Sequence, residues 1–211
     1  ICTPLFIAGR DFDISPLNYG GGCLTTKSKK TNFPKPGLVG LHQINNAGLA
    51  LIALQDTKSM PPNGIADAKW PGRLQKIDKG TLKVLWPYQS IWLDGAHNKH
   101  GATALAKTLR CINDARWNVI FGGLNTRDPV EILAPLAPLV ERVICLSIPD
   151  QDASLSATDM SLAVKQLGLQ VVTADTLLTA FDQLNQNLPV IICGSLYLVG
   201  HILIQNETLP N

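Results

Sequence analysis

Beyond about residue 80, short apolar runs alternate with stretches whose apolar residues recur at spacings of three and four. No other feature restricts the fold as much. The runs fall at 82–85, 91–93, 119–121, 143–148, 171–173 and 190–193. A first stripe, Leu105, Leu109 and Ile112, is followed by Ile132, Leu133, Leu136 and Val140, then Met160, Ala163, Val164 and Leu167, and finally Leu177, Leu178, Phe181 and Leu184. Continuous apolar runs suit strands buried on both faces, and such stripes suit the helices that cover them. The expected fold is therefore α/β, with a mostly parallel sheet covered on both faces by helices. Pro135 and Pro138 predict a second helix that is kinked or cut short.

The first part of the chain reads differently. Residues 1 to about 40 are β-rich, with an apolar segment at Pro4–Gly9, alternation through Arg10–Ile14, and a turn at Gly20-Gly21-Gly22 before Cys23-Leu24-Thr25-Thr26. A helix then opens at His42 and runs through Leu54. Being apolar nearly all round, it is expected to lie buried between layers. Its polar residues His42, Gln43, Asn45 and Asn46 gather at the amino end, where free N–H groups favour a ligand, although either asparagine could equally serve as a cap. Residues 57–69, with Pro61-Pro62-Asn63-Gly64, read as a connector between domains at 1–60 and 61–211. The chain starts at Ile1, in a strand-like segment, which suggests that a longer protein precedes it.

Composition narrows the function classes. With 45% hydrophobic and 16% charged residues the chain is a folded, soluble one. A formal charge of +2 gives no electrostatic case for nucleic acid or an anionic membrane. No apolar run approaches the roughly 20 residues of a membrane span, and no signal-peptide pattern is present. The five cysteines form no CxxC, and Cys145 and Cys193 sit in strand-like runs, as core thiols do in a reducing, cytoplasmic setting.

The stretch Ile91-Trp92-Leu93-Asp94-Gly95-Ala96-His97-Asn98 passes from an apolar run through a polar turn into a helix. This places Asp94, Gly95, His97 and Asn98 at the carboxyl edge of a parallel sheet, where α/β folds bind ligands. An ordinary turn capped by Asn98 has the same pattern. Arg73, behind Pro71-Gly72, is well placed to reach an anion, or else to pair with a surface carboxylate. Several motifs fail. Thr26 stands where a P-loop needs the glycine before its lysine, and no GxGxxG follows any strand. Asp94, His97 and His100 have metal-like spacing but only one carboxylate and no thiol, so no metal site is assigned. Gly194-Ser195 lacks the flanking glycines of a nucleophile elbow, and Ser195 is better placed to cap the last helix or to meet an anion there.

Taken in order, His42-Gln43-x-x-Asn46-Ala47, Trp70-Pro71-Gly72-Arg73-Leu74-Gln75, Leu93-Asp94-Gly95-Ala96-His97-Asn98 and Gly194-Ser195-Leu196-Tyr197-Leu198 resemble one family. It is folylpolyglutamate synthase/dihydrofolate synthase, a branch of the Mur-ligase superfamily, and the resemblance covers its C-terminal half. By this resemblance residues 1–60 are the end of a central ATP-binding domain, and 61–211 are the C-terminal Rossmann-like Mur ligase domain. The implied activity is an ATP-dependent ligase. ATP phosphorylates a carboxylate of dihydropteroate or a folate, and L-glutamate's amine attacks the acyl phosphate. This chain would bind the adenosine end of ATP and close the cleft.

The resemblance assigns Asn46 to adenine, Arg73 to the phosphates, Asp94 to the ribose and His97 to the same nucleotide, with His42 and Gln43 near the base. Ser195 and Asp128 are substrate-side residues. It implies no catalytic residue within the chain, an inactive isolated fragment and a monomer. The P-loop and the Mg2+ ligands are expected before Ile1. Lys99 replaces the family's usual proline, and Asn125-Thr126-Arg127-Asp128 replaces a segment usually ending Asp-Lys-Asp, which unsettles Asp128's role. The competing readings are a peptidoglycan-type Mur ligase on the same scaffold and a non-catalytic nucleotide-binding module.

Overall fold

The computed structural model describes residues 5–54 and 63–208, in two compact units, 1–70 and 71–211. Cys2, Pro4 and the Thr57–Pro62 part of the expected connector lie outside the described residues.

In the first unit, β1 (Phe12–Pro16), β2 (Gly22–Thr26) and β3 (Lys30–Phe33) form an antiparallel sheet in that order. The helix α1 (His42–Ala53) lays Ile44, Ala47, Leu51 and Ile52 on a core with Phe12, Leu24 and Phe33. Gly48 is required there, because a Cβ would meet Ile14 Cδ1 at 2.5 Å. A short helix α2 (Asn63–Asp67) follows and is tied back by the Gly37 N–H donating to Ile65 O at 2.9 Å. Three expectations are corrected. Residues 5–9 are a loop with one bridge, Ala8 to Phe12, because Asp11 closes a turn by accepting from the Ile7 N–H at 3.0 Å. Among the described residues the helix α1 buries one face only, the one on the sheet, and Leu49 is 49% exposed. Residues 63–67 are helical, not irregular, and pack with the first unit, which ends at Trp70.

The second unit begins with β4 (Gln75–Ile77), α3 (Thr81–Leu85), β5 (Ile91–Leu93), α4 (Lys99–Ile112) and β6 (Trp117–Phe121). It continues with α5 (Pro129–Leu133), β7 (Val140–Leu146), α6 (Ala157–Val164), β8 (Gln170–Ala174), α7 (Leu177–Asp182), β9 (Val190–Cys193) and α8 (Leu196–Gln205). The six-stranded sheet has the order β4-β5-β9-β6-β7-β8, and only β4 is antiparallel.

Side chains alternate between two cores. Val190 and Ile192 join Leu177, Phe181, Leu198 and Ile202 on one face, while Ile191 and Cys193 join Leu105, Leu109, Ile132 and Met160 on the other. Residues 82–85 form α3, not the expected strand: Leu82 is buried while Val84 is 80% exposed, a one-sided pattern. Its place is set by the buried Asn206, whose Oδ1 accepts from the Leu82 N–H at 2.8 Å. The helix α5 stops at Leu133, before Pro135, and Val140 opens a strand instead of completing the stripe. No helix among the described residues is long and apolar enough to cross a membrane.

Candidate functional site

The last bond of β5 sets the site. Asp94 N–H donates to Ile192 O at 3.0 Å, after which the chain leaves the sheet at the carboxyl ends of the parallel strands. Gly95 N–H then donates to Gly72 O at 2.7 Å, which brings in the Pro71–Gln75 turn. Asp94 Oδ2 accepts from the Leu74 N–H at 2.9 Å, and Oδ1 from the Ala96 N–H at 2.8 Å. Gly72 and Leu74 both have positive φ, +72° and +43°. A Cβ on Gly72 would lie 2.5 Å from Val199 Cγ1, so α8 supports this turn from below.

Burial raises the pKa of the half-buried Asp94 carboxyl above its ordinary range. The Ala96 and Leu74 N–H groups oppose that effect, as do the charges of Arg73 and His97. Arg73 is exposed and makes no hydrogen bond or ion pair with the described residues. His97 Nδ1 lies 2.8 Å from Gly95 O. A carbonyl can only accept, so Nδ1 carries the proton and Nε2 is left for another partner. Asn98 caps α4, its side chain accepting from the Gly101 N–H at 2.9 Å.

His97 also lines a cavity of about 220 Å³ with Leu124, Thr126, Arg127, Ser195 and Tyr197. The buried Ser195 caps α8, accepting from the Tyr197 N–H at 3.1 Å, and the free N–H groups of that helix open at the same place. A cation, a histidine nitrogen and a helix amino end together suit a carboxylate or phosphate. Asp128 is not among the lining residues; it is exposed and caps α5 by accepting from the Val130 N–H at 2.8 Å. Tyr197 and Thr126 were not singled out from the sequence as site residues, and Arg127 entered only as a departure from the family pattern. Their convergence depends on β6 and β9 being neighbours, for which the sequence carries no local signal.

The remaining residues lie in the first unit. Asn46 Nδ2 donates to Gln43 Oε1 at 2.9 Å, and Gln43 Nε2 lies 2.9 Å from His42 Nε2, so the three form one chain of hydrogen bonds. Leu41, not an asparagine, holds the N-cap position of α1 and makes no side-chain cap bond. Gln43 and Asn46 supply the polar edge of a mostly apolar cavity of about 360 Å³, lined also by Leu38, Ala47, Leu51 and Ile65. An apolar cavity with an amide at its rim suits a flat heterocycle with hydrogen-bonding edges.

Comparison with known proteins agrees with this architecture. A Bacillus subtilis relative named dihydrofolate synthase/folylpolyglutamate synthase is 26% identical over 189 residues, 84% of this chain and 42% of the relative. The Saccharomyces cerevisiae dihydrofolate synthetase is 26% identical over 227 residues, 96% of this chain and 53% of its own length. The chain thus spans about half the length of the curated relatives it matches. The solved structure of E. coli FolC in complex with DHPP and ADP superposes with a TM-score of 0.76 at 22% identity, covering 93% of this chain and 46% of that one, and so shares the fold. Residues 85–205 match the family described as dihydrofolate synthetase, C-terminal domain, and the chain belongs to that family.

Proposed function

We propose that this chain is the adenosine-gripping part of a cytoplasmic ATP-dependent ligase that joins L-glutamate to the carboxylate of a folate or dihydropteroate. In that reaction the carboxylate oxygen attacks the γ-phosphorus of ATP and ADP leaves. The glutamate amine then attacks the acyl phosphate, losing a proton and expelling inorganic phosphate. Such chemistry depends on holding the phosphates, neutralising their charge and keeping the reactants together.

The observation that carries this reading is the union of the Arg73 turn with the Asp94–His97 turn at the carboxyl end of β5. It puts a permanent cation, a carboxylate and a histidine nitrogen at one sheet edge. Arg73 takes the phosphates, since a planar guanidinium matches their oxygens. Asp94 keeps spare lone pairs for ribose hydroxyls, and His97 offers Nε2 to the same nucleotide. In the first unit Asn46 reads the base, held by Gln43 and His42. Ser195, with Arg127 beside it, faces a substrate carboxylate, and Asp128 is a helix cap. Magnesium accompanies ATP; no group of His, Cys, Asp or Glu among the described residues is arranged to hold it.

Steady-state kinetics of the full-length protein test this. Losing a charged hydrogen bond to phosphate costs about 1.5–3 kcal/mol, so Arg73→Ala is expected to raise the KM for ATP roughly ten- to a hundredfold. Asn46→Ala is expected to erode the preference for ATP over GTP. Wild-type ATP kinetics in both variants would overturn the nucleotide reading, and ligation of a peptidoglycan precursor in place of a folate would overturn the substrate.

A further inference from the structure

Both oxygens of Asp94 are already engaged within the protein. The bond from Leu74 N–H to Oδ2 reaches across twenty positions of sequence to the residue that follows Arg73. The turn it holds is not one the chain adopts by default. Leu74 has a φ of +43°, in the left-handed region that side chains with a Cβ seldom occupy. Its own side chain is buried at 3% exposure in the core with Ala96 and Leu105. Gly72 is left-handed as well; its N–H donates to Gln75 Oε1 at 2.9 Å, and its carbonyl accepts from Gly95 N–H at 2.7 Å. Gly72 and Leu74 are thus buried and fixed, and Arg73 between them is exposed.

Building on the nucleotide reading above, we propose that Asp94 is a positioning residue for Arg73: by gripping the Leu74 N–H, its carboxylate locks the strained turn that aims the guanidinium at the phosphates. A carboxylate suits this task because it only accepts, and two backbone donors converge on it from opposite sides. An amide of the same shape satisfies one donor and turns its own N–H groups toward the other. Each oxygen retains a lone pair, so the lock and a ribose contact are compatible.

A double-mutant cycle in the full-length protein, with 2′,3′-dideoxy-ATP as phosphoryl donor, separates the two roles. The analogue lacks the hydroxyls that a carboxylate could bond directly. With Arg73 present, Asp94→Asn is expected to raise the KM for this donor about tenfold; in an Arg73→Ala background the added effect should be less than about twofold. Asp94→Ser keeps an acceptor short enough for the Ala96 N–H but leaves the Leu74 N–H without its partner; it is expected to reproduce the Asp94→Asn result, and serves in its place should that variant not fold. Equal effects with and without Arg73, or no effect on the dideoxy donor, would overturn the positioning role while leaving Arg73 at the phosphates. An Arg73→Ala variant with unchanged KM would overturn the nucleotide reading and this inference together.

Discussion

The Gly194 N–H donates to the carbonyl of Ala96 at 3.1 Å, so the turn after β9 is bonded to the turn after β5. Gly194 can do this because it has no side chain. Its φ is +115°, and a Cβ would lie 2.6 Å from the Gly122 carbonyl oxygen and 2.6 Å from the Phe121 ring. Gly194→Ala is expected to destabilise by about 2–5 kcal/mol, the sum of backbone strain and overpacking. Gly168→Ala is the control. Its φ is +70° with nothing within 4 Å of the added carbon, so about 1–2 kcal/mol should be lost. Urea titration of both variants checks this, and equal losses would mean that packing around Gly194 relaxes freely.

Asp94 gives a pH signature with a definite sign. Its folded pKa stands above the ordinary 3.8 chiefly because of burial. The folded state therefore favours the protonated acid, and that contribution is complete below pH 3.8 and lost as pH rises through the folded value. Asp94→Asn cannot ionise and lacks this loss. The melting temperature of the variant minus that of the wild type should thus become more positive as pH increases from about 4 toward neutrality, whatever its offset at low pH. A difference that falls over this range would show that the two N–H bonds and Arg73 outweigh burial.

The thiols should separate by reactivity. Burial pushes the Cys145 thiol up to about 12; Cys193 is raised further, by burial first and by the Asp94 charge second. Cys111 is exposed on α4. Labelling with iodoacetamide near pH 8, followed by site-resolved mass spectrometry, is expected to modify Cys111 promptly and Cys145 and Cys193 only as the fold opens. Prompt modification of Cys193 would mean that the sheet beneath the site is not closed.

The sheet was legible wherever burial on both faces wrote itself into the sequence. Residues 91–93 and 190–193 are strands with the expected bounds, because a central parallel strand needs continuous apolar residues. Gln75-Lys76-Ile77 hid β4, since an edge strand buries only Ile77 fully and needs no apolar run. Residues 82–85 were misread because a five-residue helix is too short for its period to differ from that of a strand. Among the candidate residues, Asp94, Arg73 and His97 drew notice because they sit in local turn patterns. Arg127 and Tyr197 meet Ser195 only through the pairing of distant strands, and Asp128, which shares Arg127's loop, turns to its own helix.

The strand order carries a consequence for how this unit is made. Of the six strands of this sheet β9 is made last, yet it belongs between β5 and β6, each synthesised long before it. Until residues 190–193 arrive, the nascent sheet is two ribbons with a vacant lane between them. Val199, which props the arginine-bearing turn, comes later still. A nascent chain severed at residue 189 would therefore be missing the centre of its sheet.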